Sequence, residues 1–237
     1  MQSFDTRTLV ERIADELRSQ VIDGRLEPGR RVRQEDIAGR LGVSRTPLRE
    51  AFRQLESEGW FTSHPRQGVL VSAMSYEEVC EIAAARMVLE PAAARVAAVV
   101  HDDEAAGRLR ELVEQTSATP EVHDFDGLNR AFHLEVYGAT DHTPPNELSR
   151  TTRHYWERFT RYRRYYWRAE EHVSLSAEYH ARIADLWCAR DGAATEAEVA
   201  RHIISAITDQ IRVLHPGSTP DPALAAVCRR YDIELRL

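Results

Sequence analysis

The chain has 237 residues and a mass of 27.0 kDa, is 43% hydrophobic and 29% charged, and carries 31 basic against 38 acidic side chains for a net charge of -7. That length holds one large domain or two smaller ones, and a mean hydropathy of -0.48 excludes a membrane chain. No apolar run approaches the ~18 residues a bilayer span needs, the N-terminus does not read as a secretory signal, and Cys80, Cys188 and Cys228 predict buried thiols in a reducing cytoplasm.

Charge divides the chain. Residues 1–75 hold 12 basic and 11 acidic side chains, whereas residues 76–237 hold 19 and 27. A near-neutral piece followed by an acidic one predicts two domains with different partners. All 31 basic residues are Arg, which carries no functional weight.

From Thr8 to Ile22, apolar residues at spacings of three and four predict a first helix, ended by Gly24. A turn over Arg25 to Gly29 precedes a short helix near Gln34 to Leu41, which closes on Gly42. Ser44 then reads as an N-cap, Pro47 sits in the tolerated first turn, and Leu48, Ala51, Phe52 and Leu55 form the buried stripe of a third helix that stops at Gly59. Two short helices joined by a tight Gly turn make a helix-turn-helix. After Gly59, Trp60 to Thr62 and Val69 to Val71 flank the polar turn His64 to Gly68, predicting the hairpin wing of a winged helix.

Six further helices are expected near 75–99, 103–117, 121–138, 144–168, 172–191 and 193–214, making a mainly α protein whose C-terminal part is an antiparallel bundle. The domain boundaries follow as 1–74, 75–215 and a tail at 216–237 with one short helix near 221–231.

The second helix of a helix-turn-helix enters the major groove, where Arg can bond guanine O6 and N7. Arg45 and Arg49 lie four apart on one face, with Thr46 between them and outside the apolar stripe. The alternative is that they are solvated arginines paired to a neighbour such as Glu50. Arg66 on the Gly-containing wing tip either lies along a minor groove or phosphate or belongs to a solvated hairpin tip.

These residues carry a resemblance. The run Gly42 to Ala51, with Ile22 to Gly29 before it and Leu55 to Gly59 after it, resembles the winged-helix domain of GntR-type bacterial transcriptional regulators. The resemblance implies an operator-binding homodimer on a short palindrome. It places Ser44, Arg45, Thr46 and Arg49 at bases or phosphates, with Arg66 and Gly68 of the wing helping. Glu35 stands where some members of that family place a DNA-touching Arg, and Arg33 is the substitute.

In the acidic part, Asn129 and His133 share one helical face at the edge of the stripe Phe125, Leu128, Phe132 and Val136. His180 is in register with Ile183, Ala184 and Trp187, and His202 precedes Ile203, Ala206 and Ile207. Three imidazoles and one oxygen donor on three helices suit a first-row divalent ion, zinc first, with nickel and manganese as alternatives; the other reading is hydrogen-bonded core histidines. The segments Leu128 to His133, Glu178 to Ile183, Arg201 to Ile203 and Arg86 to Pro91 resemble the FCD effector domain of the FadR-like branch. That resemblance implies that an Asp or Asn and three His hold a metal; here the first is Asn129.

Arg86 either forks the carboxylate of a small organic-acid effector or pairs with Glu90 at i+4. The stretch Arg153 to Arg168 holds six Arg and seven aromatics; Tyr155, Phe159, Tyr162 and Tyr166 repeat as a buried stripe, with Arg158, Arg161 and Arg164 off it. The expected function is a metabolite-responsive regulator, a repressor of a metabolic operon, cytoplasmic and not an enzyme. Competing classes are a metal-dependent hydrolase-like enzyme, for which no HExxH, GxSxG or P-loop is found, and a bundle with a purely structural ion.

Overall fold

The computed structural model describes residues 8–65, 68–72, 75–118, 122–140, 146–166 and 170–237, with side chains for all of these except 22, 118, 122–124, 126, 160–166 and 170–174. The chain divides into two compact units, one running to Ser75 and the other from Tyr76 to Leu237.

The first unit holds α1 (Leu9–Ile22), β1 (Arg31–Val32), α2 (Gln34–Leu41), α3 (Arg45–Ser57), β2 (Phe61–His64) and β3 (Gly68–Val71). A capping box starts α1: the Thr8 hydroxyl accepts from the Glu11 amide at 3.2 Å, and the Glu11 carboxylate accepts from the Thr8 amide at 2.6 Å. Gly42 ends α2 in the left-handed region at φ 65°, the conformation a tight turn between two helices requires. Leu48, Ala51, Phe52 and Leu55 are buried as their spacing predicts, and they join Ile13, Leu17, Ile37 and Val71 in one core. Phe52 meets Phe61 edge to face at 5.1 Å, tying α3 to the wing. Opposite the core, Arg18 forks Glu58 at 2.7 to 3.0 Å, clamping α1 to the end of α3.

The wing is a three-stranded antiparallel sheet in the order β1-β3-β2, not a two-stranded hairpin. The added strand β1 is two residues long and pairs Arg31 with Leu70 and Val32 with Val69. A strand this short has no periodicity to read, and its partner lies far along the chain.

The second unit contains α4 (Tyr76–Val100), α5 (Asp103–Ala118), α6 (Val122–Val136), α7 (Glu147–Tyr166), α8 (Glu170–Cys188), α9 (Gly192–Leu214), α10 (Pro222–Cys228) and a 3-10 turn (Arg229–Tyr231). Helix α4 is the hub, packed against α6, α7, α8, α9 and α10, and its apolar residues accordingly run nearly all round it. Gly192 brings the start of α9 onto α4: a Cβ there would meet the Arg95 carbonyl oxygen and a Val99 methyl, each at 2.9 Å. The short tail helix belongs to this core, with Leu224 and Cys228 fully buried.

On α7 the buried stripe is Ser149, Thr152, Trp156 and Phe159, so Trp156 takes the inward place expected of Tyr155. Tyr155 is half-buried under Arg158, which also pairs with Glu78 at 3.3 Å. The side chains of Tyr162, Tyr166, Arg161 and Arg164 lie outside the described residues. Cys80 and Cys228 are buried, and Cys188 is half-buried rather than enclosed.

Candidate functional site

Among the described residues, each unit carries a cluster of side chains that the fold itself does not use. In the first, these are arginines. Arg33, Arg40, Arg49 and Arg53 on α2 and α3 are exposed and make no side-chain hydrogen bond or ion pair with any described residue. Arg33 precedes α2 at its N-cap position. Arg45 and Thr46 are exposed in the first turn of α3, and Arg45 approaches Glu35 of α2 at 3.6 Å, not Glu50. Both members of that pair are more than half exposed, so the contact is weak. Ser44 stands at the N-cap of α3, but its hydroxyl makes no capping bond. Pro47 has no N–H, so the first-turn amides left for an outside acceptor such as a phosphate are those of Arg45 and Thr46. Gly68 opens β3 at φ 76° beside the Arg31 guanidinium, which lies 3.7 Å from where a Cβ would stand. Arg66 lies outside the described residues.

The second cluster is in the core of the helical unit. His133 of α6, His180 of α8 and His202 of α9 each offer a ring nitrogen within 4.8 Å of the others. His133 Nε2 and His202 Nε2 lie 3.4 Å apart. Two nitrogens on one tetrahedral ion, at bonds of ~2.0–2.1 Å, stand about 3.3 Å apart. Asn129, one turn before His133, is 1% exposed, and neither its amide oxygen nor its amide nitrogen has a hydrogen-bond partner among the described residues. The His180 Nδ1 is buried and equally without a partner. Orphaned polar atoms in a packed core each cost free energy unless something satisfies them. A divalent ion joined by three imidazoles and an amide oxygen answers that requirement, so the residues present fit such a group.

Aromatic rings flank the histidines. Phe132 stacks on the His180 ring at 4.0 Å, and Trp156 lies beside His133 at 5.8 Å. Burial pushes His202 down to about 3, reinforced by the nearby Arg86 guanidinium. Desolvation and the neighbouring His202 hold His180 well below its ordinary 6.5. His180 and His202 are thus neutral at pH 7, the form that coordinates.

Arg86 lies on α4 and is 5% exposed. Its Nε donates to Glu90 Oε1 at 2.5 Å and its Nη2 to Glu90 Oε2 at 3.2 Å, while the guanidinium rests on the Phe159 ring at 4.4 Å. The i+4 ion pair is therefore formed, and Nη1 remains without a hydrogen bond to any described residue. Sequence reasoning missed Tyr137, whose hydroxyl touches both His133 and Glu90. The available signal was its position four residues after His133.

A winged helix with unpartnered arginines on its reading helix, followed by a helical unit with a buried histidine centre, defines a DNA-binding regulator with a sensing domain. The chain matches the gntR family of bacterial regulatory proteins over residues 9–71 and the FCD domain over residues 81–205, and it belongs to that family. It is similar to the Nta operon transcriptional regulator of Aminobacter aminovorans, 29% identical over 74% of this chain and 82% of that protein. It is also similar to a probable D-xylose utilization operon transcriptional repressor of Paenarthrobacter nicotinovorans, 32% identical over 57% of this chain and 62% of that one. Among solved structures, Escherichia coli McbR/YncC shares the fold with a TM-score of 0.72 at 24% identity, covering 87% of this chain and 99% of that chain. Among the described residues, no helix is long and apolar enough to cross a membrane.

Proposed function

We propose that this protein is a metabolite-responsive repressor of a metabolic operon. In this reading it binds a palindromic operator as a homodimer, and a small organic acid held at a divalent ion in the helical unit controls that binding. The observation that carries it is the buried set Asn129, His133, His180 and His202, in which both polar atoms of the Asn129 amide and the His180 Nδ1 have no hydrogen-bond partner among the described residues. The set is uncharged, so a bound dication keeps most of its charge and favours an anionic oxygen as its next ligand. Arg86, whose Nη1 makes no hydrogen bond to any described residue, would then take the carboxylate. The repressor reading is supported by the names of relatives such as the D-xylose repressor.

On the DNA side, Arg45 and Arg49 would read bases, with Thr46, Ser44 and the uncapped amides of α3 on phosphate. Arg33, Arg66 and Gly68 would add backbone contacts that supply affinity but no sequence preference. Ligand control requires the acid to bind the DNA-competent and released states with different affinity.

The test is fluorescence-anisotropy binding to the DNA upstream of the protein's own gene, with and without chelator, across a panel of small di- and hydroxy-acids. Specific binding that one acid shifts, and that chelation uncouples from the acid, is expected. Specific binding that no acid shifts would contradict the sensing role, and no specific binding at all would contradict the assignment of Arg45 and Arg49.

A further inference from the structure

His133 differs from the other two imidazoles in what stands behind it. Its Nδ1 lies 2.9 Å from the hydroxyl oxygen of Tyr137, and that hydroxyl lies 2.6 Å from Glu90 Oε2. Glu90, 0% exposed, is gripped in turn by Nε and Nη2 of Arg86. His180, by contrast, has no partner for Nδ1 and only a 3.5 Å approach of Ser176 to Nε2.

Proton counting settles the direction of each bond. Tyr137 has one hydroxyl proton, and the carboxylate 2.6 Å away takes it in a charge-assisted bond. The hydroxyl oxygen can then only accept from the imidazole, so the His133 proton sits on Nδ1. The lone pair is left on Nε2, the atom that faces His202 Nε2 at 3.4 Å.

We propose that Tyr137 and Glu90 are positioning residues for the metal centre: they hold His133 in the tautomer that coordinates through Nε2 and join it to Arg86 by an unbroken buried chain. This rests on the metal reading of the histidine set. Its physical basis is general: a ligating imidazole whose other N–H is held by an acceptor is fixed in ring orientation and is a stronger base. Here the acceptor is a phenol polarised by a carboxylate. The chain also gives the ion and Arg86 a common element. Drawing electrons from His133 at Nε2 sharpens the Nδ1 proton, tightens the Tyr137 bond, and fixes the carboxylate on which Arg86 is forked.

The test substitutes Tyr137→Phe, which keeps the ring and removes only the hydroxyl. Two quantities are read on the full-length protein: Zn²⁺ affinity by competition with a chromogenic chelator, and the His133 tautomer in the metal-free protein by ¹⁵N NMR of the imidazole nitrogens. Zn²⁺ affinity is expected to fall about 10–100-fold, and His133 to lose its strict Nδ1–H form. Glu90→Gln, which keeps the shape but removes the charge that draws the proton, is expected to move both quantities in the same direction. Unchanged affinity and tautomer in Tyr137→Phe would overturn the proposal, as would a lowered melting temperature with unchanged affinity. His133→Ala separates the two levels. If it leaves Zn²⁺ affinity unchanged, the metal reading itself fails; if it abolishes binding while Tyr137→Phe does not weaken it, only the positioning role fails.

Discussion

Asn129 offers a substitution whose effect should change sign with metal. Its amide is 1% exposed, and neither polar atom has a hydrogen-bond partner among the described residues. A buried polar group left unsatisfied costs about 1–3 kcal/mol, and replacing it with an apolar group of the same shape removes that cost. Leu branches at the same atom as Asn and is the better helix former by a few tenths of a kcal/mol. Asn129→Leu is therefore expected to stabilise the chelator-treated protein by about 1–3 kcal/mol, which raises the melting temperature of the helical unit at roughly 2–4 °C per kcal/mol. With zinc the order reverses. Wild type gains about 4.1 kcal/mol at an ion concentration 1,000 times its dissociation constant, more than the variant's lead, and the variant, lacking one donor, gains much less. Differential scanning calorimetry of both proteins, in chelator and in excess zinc, reads all four values. A destabilised metal-free Asn129→Leu, with a zinc-induced rise equal to wild type, would refute the argument that Asn129 is held in the core for an ion.

Three further expectations follow from other parts of the molecule. Arg49→Ala, which removes an exposed side chain with no internal partner, should weaken operator binding by about 1–3 kcal/mol and relax preference at one base pair, with no change in melting temperature; competition against mutated operators measures both. For pH, the folded chain keeps His202 neutral down to about 3, whereas an unfolded imidazole charges below 6.5. Unfolding therefore takes up a proton, and metal-free stability is lost as pH falls through that window, by about 2 kcal/mol at pH 5 for this residue; in denaturant titrations, wild type should lose about that much more unfolding free energy between pH 7 and pH 5 than His202→Gln does. Gly192→Ala drives a methyl into the Arg95 carbonyl and Val99 and should cost about 1–3 kcal/mol, read from urea titration, with zinc affinity unchanged.

The winged helix is legible because its signals are local. Gly42 sits at a positive φ, Ser44 sits at the N-cap, and the stripe Leu48, Ala51, Phe52 and Leu55 has one unambiguous phase. Strand β1 escapes because two residues carry no period and the pairing is remote. On α7 the aromatics are so dense that two phases fit, and the one led by Trp156 prevails because burying the larger ring against the α4 core removes more apolar surface from water. In the metal centre, the i, i+4 pair Asn129 and His133 is readable on its own. Joining it to His180 and His202 needs three helices to converge, which came from family resemblance and not from spacing. Tyr137 reaches Glu90 across 47 residues of sequence, a meeting that only the packing of α6 on α4 creates.

The central claim, a divalent ion held by one amide and three imidazoles, is tested most directly by titrating the full-length, chelator-stripped protein with Co²⁺ and following its visible spectrum. The account predicts one ion per chain, ligand-field bands of a nitrogen and oxygen site without thiolate charge transfer, and loss of those bands in His180→Ala. Absence of saturable binding, or a spectrum unchanged by that substitution, would contradict it.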